Sequence, residues 1–257
     1  MGMGPEWMDS MVADWLKLFI SGNHKVHSIR STAGEVSLNE GILNQSALAY
    51  SEVMEVVGKS VPAKIIFIGH SLGGLTAALT MKKLKETSNK DVKALFTIAS
   101  PFEGAPLVFL RGNKLLTVLV KRFAGNDPLV SNCIKGTDCI RDLEPGSDVL
   151  KQVIKALKEM PNCLKIAIGI KSTDTAKFLR LPPFVSSILD IFISKKHNDK
   201  SSDGFIPLES QLAHNSGLGI NHNFFSEICV GDFTHKDANH PIIQKVVKEY
   251  FRKFELI

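Results

Sequence analysis

Apolar residues recur along this chain in two rhythms, and the alternation between them outlines the fold. Trp7, Met8, Met11, Val12, Trp15, Leu16, Phe19 and Ile20 return at helical spacing and predict an amphipathic helix over 5–20. Val26 and Ile29 suggest a short strand over 25–30. Ser37, with Glu40 three residues on, reads as a capping box opening a second helix, with Ile42, Leu43, Leu48, Val53, Met54 and Val57 on its apolar face. Short, nearly unbroken apolar runs at 64–68, 92–99, 165–170 and 224–230 predict strands. Helical patterns lie between and after them: 72–86, the run through Leu150, Val153, Ile154 and Leu157, and a last helix that starts at Pro241 and carries Ile242, Ile243, Val246, Val247, Tyr250, Phe251 and Phe254 on one face. Strands alternating with helices at this pitch imply parallel β-α-β units. The expected fold class is therefore α/β, a mostly parallel central sheet with helices on both faces, in one domain spanning 1–257. Two apolar stretches stand outside the alternation and read as insertions, at about 106–136 and 175–200. No linker, repeat or low-complexity segment interrupts the chain.

Composition narrows the class without changing it. Hydrophobic residues make up 44% and charged residues 22% of 257 residues, which is ordinary for a globular domain with a sizeable core. The net charge of +5 is mild and the basic residues are scattered. With no basic stripe, zinc-finger spacing or RNA-binding word, nucleic acid is excluded as the expected partner. An anionic membrane surface stays compatible as a transient contact. Residues 1–6 lack the basic start and apolar core of a signal peptide, and no apolar run has the length of a membrane span, so the expected location is cytoplasmic. Four cysteines are too few for a disulfide scaffold. Cys163 and Cys229 read as buried thiols, while Cys133 and Cys139 flank a loop across which they can pair in an oxidising compartment.

The chemistry gathers where the strand at 64–68 ends. Gly69-His70-Ser71-Leu72-Gly73 is a G-x-S-x-G word set between a strand and a helix. A serine on such a tight turn is held in strained backbone geometry with its hydroxyl at the carboxyl end of the sheet. Gly69 and Gly73, lacking side chains, let strand and helix approach the turn closely. The first amides of the following helix lie beside the hydroxyl and can receive an oxyanion. The bland alternative is a glycine-rich turn with a passive serine, and the flanking strand and helix argue against it.

The run Gly69-His70-Ser71-Leu72-Gly73-Gly74 resembles the elbow of the lipase and serine-esterase branch of the α/β-hydrolase superfamily, with inositol-deacylase-like lipases among the most similar. Ser100-Pro101-Phe102-Glu103-Gly104 resembles a word that ends the next strand in that branch, and Leu143-Glu144-Pro145-Gly146-Ser147 resembles another of its words. The resemblance implies a triad in the order serine, acid, histidine. Ser202-Asp203-Gly204-Phe205-Ile206-Pro207 is similar to the family's Asp-Gly-x-x-Pro word and makes Asp203 the candidate acid, with Asp174 and Asp190 as fallbacks. His235 and His240 both lie between the last strand and the last helix. His235 sits mid-loop and is the favoured base, whereas His240 abuts Pro241 and reads as part of the helix entry. His70 is expected to pack beneath the serine, His214 and His222 to be surface or structural, and His24, His27 and His197 have no supporting context. No pair has metal-ligand spacing, so neither metal nor cofactor is expected.

The resemblance also implies an oxyanion hole built from the Leu72 amide and a second amide on an N-terminal loop that often reads His-Gly-x-Gly. Met1-Gly2-Met3-Gly4 stands there, making Met3 the candidate second donor. The strand that precedes this loop in relatives has no counterpart ahead of Met3, and the coding sequence is expected to continue upstream of Met1. These readings converge on a serine hydrolase of carboxylic esters, working through Ser71, His235 and Asp203 and an acyl-enzyme. The two apolar insertions favour a lipid-like or other acyl ester as substrate. The alternative is a non-catalytic binding protein on a hydrolase scaffold, motivated by the missing strand and oxyanion loop.

Overall fold

The computed structural model describes residues 13–15, 25–58, 64–88, 90–106, 108, 114, 117–118, 121–122, 128–172 and 201–256. Among these residues the centre is a parallel four-stranded sheet in the order β1 (Lys64–His70), β2 (Asp91–Ile98), β3 (Leu164–Ser172), β4 (Phe224–Gly231). Each strand pairs with its neighbour in sequence and all run the same way. Among the described residues the helices include α1 (Glu35–Asn39), α2 (Ile42–Val57), α3 (Leu72–Thr87), α4 (Pro128–Lys135), α5 (Asp138–Asp142), α6 (Asp148–Lys158), α7 (Leu208–Gln211) and α8 (Pro241–Lys253), and residues 13–15 are helical as well.

Side chains alternate across the strands and build a core on each face of the sheet. Phe67, Leu95 and Ala167 face Val53 of α2, Leu75 and Met81 of α3 and Val153 of α6. Phe96, Ile98, Ile166 and Ile168 face Ile243, Val247 and Phe251 of α8, with Trp15 in the same cluster. Phe96 and Phe251 stack with ring centroids 4.9 Å apart. Because helices cover both faces, β3 is buried at every position from Leu164 to Ile170, which explains why its sequence reads as an unbroken apolar run.

The first part of the chain departs from the sequence reading in two places. Residues 25–30 form no strand. Their backbone is gathered instead by one carboxylate, Glu52 of α2, which accepts the N–H groups of Arg30 (3.0 Å) and Ser31 (2.9 Å) and lies 3.1 Å from His27 Nε2. Ser37 does not open a long helix either. It lies inside the short α1, and the chain breaks at Gly41, whose ψ of 153° is extended, before restarting at Ile42. The N–H of Ile42 is accepted by Asp142 Oδ2 at 2.7 Å, a cap supplied from 100 residues away. The burial of α2 follows this restart: Ile42, Gln45, Ser46, Ala49 and Val53 face inward, whereas Leu43 and Leu48 are exposed.

The stretch expected as an irregular insertion at 106–136 holds α4 among its described residues, and 175–200 lies outside the described residues. The four cysteines are buried and none forms a disulfide, so no bond joins Cys133 to Cys139 in this structure. Burial pushes the Cys139 thiol up to about 12, with Asp142 and Cys133 acting in the same direction. Among the described residues, no helix is long and apolar enough to cross a membrane.

Candidate active site

Ser71 occupies a single-residue corner between β1 and α3, with φ 55° and ψ −128°. A non-glycine residue at positive φ is strained, and it persists only where its surroundings fix it. Here the Ser71 N–H donates to Ile98 O at the end of β2 (2.8 Å), and Ser71 O accepts the N–H of Gly74 (3.1 Å). The close approaches lie at Gly69 and Gly74. A Cβ on Gly69 would stand 2.6 Å from Gly73 O, and one on Gly74 would stand 2.0 Å from Ser100 Oγ. Gly73 has nothing within 4 Å of its would-be Cβ, so the expectation that it admits a close neighbour is corrected; the second close-packed glycine of the elbow is Gly74. Leu72 is the first residue of α3, and its amide is one of the first-turn N–H groups that have no intrahelical acceptor.

Asp203 sits at the tip of a tight hairpin over 202–207 that is bonded to the end of β3. Ser172 N–H donates to Ser202 O (2.9 Å), Ser202 bridges Pro207 in antiparallel fashion, and Leu208 N–H donates to Ser201 O (2.9 Å). Within the tip, Asp203 Oδ1 accepts the N–H groups of Phe205 (2.9 Å) and Ile206 (2.7 Å). That leaves Oδ2 directed at His235.

His235 lies on the loop between β4 and α8. Its N–H donates to Asp203 O (3.2 Å), and its carbonyl accepts a hydrogen bond from His70 Nε2 (2.7 Å). Burial holds the His70 imidazole well below its ordinary pKa, and the neighbouring His235 pushes the same way, so His70 is neutral and its one proton sits on Nε2. The two rings are 4.9 Å apart, and Phe205 packs on His235 at 5.2 Å. Thr234 and Asp237 close the turn around His235, with Thr234 N–H donating to Asp237 Oδ2 at 2.6 Å.

The three side chains meet in a line. His235 Nδ1 is 2.6 Å from Asp203 Oδ2, and His235 Nε2 is 2.8 Å from Ser71 Oγ. A carboxylate can only accept, so Nδ1 carries the proton, and Nε2 is left to accept from the serine hydroxyl. Ser71 is 1% exposed, His235 2% and Asp203 0%. In that dry setting the bonds are stronger than they would be in water.

The other candidates are placed elsewhere. His240 caps α8, with Nδ1 accepting the N–H of Ile242 at 3.3 Å, and its ring stacks on Phe233. His214 and His222 lie in 3₁₀ turns before β4, and His27 pairs with Glu52. Met3, Asp174, Asp190, His24 and His197 are outside the described residues. One group that sequence reading passed over is Gln211, buried between β3 and the Asp203 hairpin. Its only signal is its place four residues after Pro207.

Comparison with known proteins agrees with this architecture. Residues 18–129 match the family described as PGAP1-like alpha/beta domain, a span that holds β1, the elbow and β2 but neither Asp203 nor His235. Among curated proteins, none matches the chain in sequence. Among solved structures, a gene product from Listeria innocua is similar at 15% identity, with a TM-score of 0.55, 97% of this chain covered and 89% of that one. The mature lipase BlEst2 of Bacillus licheniformis is similar at 13% identity and a TM-score of 0.53, covering 84% of this chain and 75% of that one. The phospholipase PlaB of Legionella pneumophila is similar at 14% identity and a TM-score of 0.51, covering 82% of this chain and 43% of that one. At these identities the structural likeness speaks for the fold. With its parallel sheet, its strand-to-helix elbow and the family match over that elbow, the chain has a fold like that of the α/β-hydrolases and is similar to lipases and esterases among them.

Proposed function

We propose that this protein is a serine hydrolase of carboxylic esters, with Ser71 as nucleophile, His235 as general base and Asp203 as the group that orients it. One observation carries the reading: an unbroken, buried hydrogen-bond line from Ser71 Oγ through both nitrogens of His235 to Asp203 Oδ2. A serine hydroxyl is a poor nucleophile at neutral pH, and an imidazole positioned to take its proton overcomes this. As Oγ attacks the ester carbonyl carbon, its proton passes to His235 Nε2. Asp203 stabilises the imidazolium that forms. The carbonyl oxygen, now negative, faces the Leu72 amide at the start of α3, and Met3 is the proposed second donor. Collapse of the tetrahedral adduct expels the alkoxide, which takes the proton from Nε2 and leaves the acyl group on Ser71. Water then repeats the sequence and releases the acid. Because Ser71 is 1% exposed, the acyl carbon reaches Oγ only as neighbouring side chains part.

For the substrate we favour an acyl ester with a hydrophobic chain. The apolar stretches of the sequence at 106–136 and 175–200 support this, as do the lipase and phospholipase among the similar structures. The test is turnover of p-nitrophenyl esters from acetyl to decanoyl by the wild type and by Ser71→Ala. Activity should rise with chain length, since each buried methylene contributes about 0.8 kcal/mol, and should vanish in Ser71→Ala with the melting curve unchanged. Activity that falls steadily beyond acetate would replace the lipid reading with a small-ester hydrolase. A wild type inert on the whole series would favour a binding protein on this scaffold.

A further inference from the structure

β2 and β3 run side by side only as far as Ile98 and Ile168. There β2 turns away: Ala99 takes a φ of 50° and gives its N–H to Ile168 O (2.9 Å). Peptide groups along a parallel strand point alternately to its two sides, so the next groups on the β2 side of β3 are the N–H and C=O of Ile170. A side chain meets them. Gln211 Oε1 accepts the Ile170 N–H at 2.6 Å, and Gln211 Nε2 donates to Ile170 O at 3.1 Å. The amide of Gln211 thus stands where a strand peptide would.

The second N–H of Nε2 donates to Ile206 O at 2.8 Å. Ile206 is the partner of Asp203 across the hairpin tip: it gives its N–H to Asp203 Oδ1 (2.7 Å), and its carbonyl takes the Asp203 N–H (3.3 Å). Gln211 is fully buried, so water is not at hand to replace its bonds. Only a side-chain amide offers one acceptor and two donors in a single plane, and all three are used.

We propose that Gln211 is a positioning residue for the carboxylate of Asp203, carrying the register of β3 to the acid through the Ile206 carbonyl. The inference rests on the ester-hydrolase reading given above. On one flank the Asp203 hairpin is fixed by backbone bonds from Ser172 and Leu208. On the other flank, the Gln211 amide ties Ile206 to β3. When Ile206 shifts, Oδ1 loses a donor, the carboxylate turns, and Oδ2 no longer faces His235 Nδ1. A displacement of about 1 Å in such a constellation costs about 10²-fold in turnover.

The experiment is a double-mutant cycle read in kcat and KM, with a proton NMR measurement beside it. Gln211→Leu removes all three bonds; Gln211→Glu keeps the acceptor for Ile170 but cannot donate to Ile206 while ionised. Both variants should lower kcat by about 10²-fold while KM stays within about twofold. In an Asp203→Asn background, Gln211→Leu should add no further loss, because the carboxylate it positions is gone. The low-field imidazole N–H resonance of His235 should be present in the wild type and lost or moved in Gln211→Leu. A Gln211→Leu protein with a lowered Tm but unchanged kcat would overturn the proposal. So would a loss of equal factor in the Asp203→Asn background, since general loosening adds where positioning does not. If Gln211→Leu fails to fold, Gln211→Glu carries the same comparison. A wild type inert to esters and to fluorophosphonate would overturn the ester-hydrolase reading itself, and the imidazole resonance would still decide whether Gln211 holds the Asp203–His235 contact.

Discussion

At the scale of single residues, the two histidines after β4 separate by what each ring touches. His235 faces Ser71 and Asp203, and His240 caps a helix. His235→Ala should therefore lower kcat by several orders of magnitude with KM little changed. His240→Ala should leave kcat near the wild type and cost about 1 kcal/mol of stability, the usual loss of an N-cap acceptor. Steady-state kinetics and thermal melts on both variants check this, and the reverse pattern would move the base to His240. Lys165 makes a different prediction, because it is a charged residue inside β3 with 1% exposure. Its Nζ donates to Met160 O at 2.5 Å. Its pKa is lowered to about 8, chiefly by burial, with Lys85 adding to the shift and Cys163 opposing it. The unfolded chain keeps the proton up to the ordinary value of 10.5, so between 8 and 10.5 it binds more protons than the folded one, and stability rises with pH across that window. Below the window the charged, buried lysine costs about 3 kcal/mol. Lys165→Met should raise Tm at pH 7, and the gain should shrink as pH approaches 10. Met160 O keeps a donor in the Cys163 N–H at 3.1 Å, so the substitution strands no acceptor. A lower Tm for Lys165→Met at pH 7 would contradict this account.

At the scale of elements, the first helices show how tertiary contacts override local signals. The Ser37–Glu40 spacing is a fair capping box on the sequence alone, yet α5 decides where the helices begin and end. Thr137 Oγ1 donates to Leu38 O at 2.7 Å, and Asp142 Oδ2 accepts the Ile42 N–H. These bonds satisfy the end of α1 and the start of α2 from far along the chain, so the break at Gly41 carries little cost. Asp142→Ala should thus destabilise the fold by about 1 kcal/mol, seen as a lower Tm, while Asp142→Asn, whose amide oxygen can still accept, should recover most of it. Equal melts for the wild type and Asp142→Ala would show that Asp142 is not the cap. Val26 and Ile29 misled for a similar reason. Their spacing fits a strand, but Glu52 takes the neighbouring backbone donors that a strand would offer to a sheet. The strands β2 and β3 were legible because burial on both faces writes itself into nearly every residue of the run, whereas β1 and β4 are only partly buried and were legible from their short apolar, β-branched runs. Ser71 was legible because its corner is local, set by glycines within a few residues. The placement of Asp203 and His235 beside Ser71 follows from chain order and short words, and their roles rest on the proposed function. Gln211 was not, because its role consists of hydrogen bonds to Ile170, 41 residues earlier, and no local pattern encodes that pairing.

At the scale of the whole molecule, the parallel sheet brings three distant loops to the carboxyl ends of its strands. The elbow after β1, the hairpin after β3 and the loop after β4 deliver Ser71, Asp203 and His235, spanning 164 residues from serine to histidine. Open α/β sheets bind their ligands at this edge. The most direct test is to treat the protein with a fluorophosphonate probe and read the intact mass and the labelled peptide. One adduct per chain is expected, on Ser71, absent in Ser71→Ala and formed slower by orders of magnitude in His235→Ala. No adduct on Ser71, or labelling equally fast without His235, would contradict the serine-hydrolase reading.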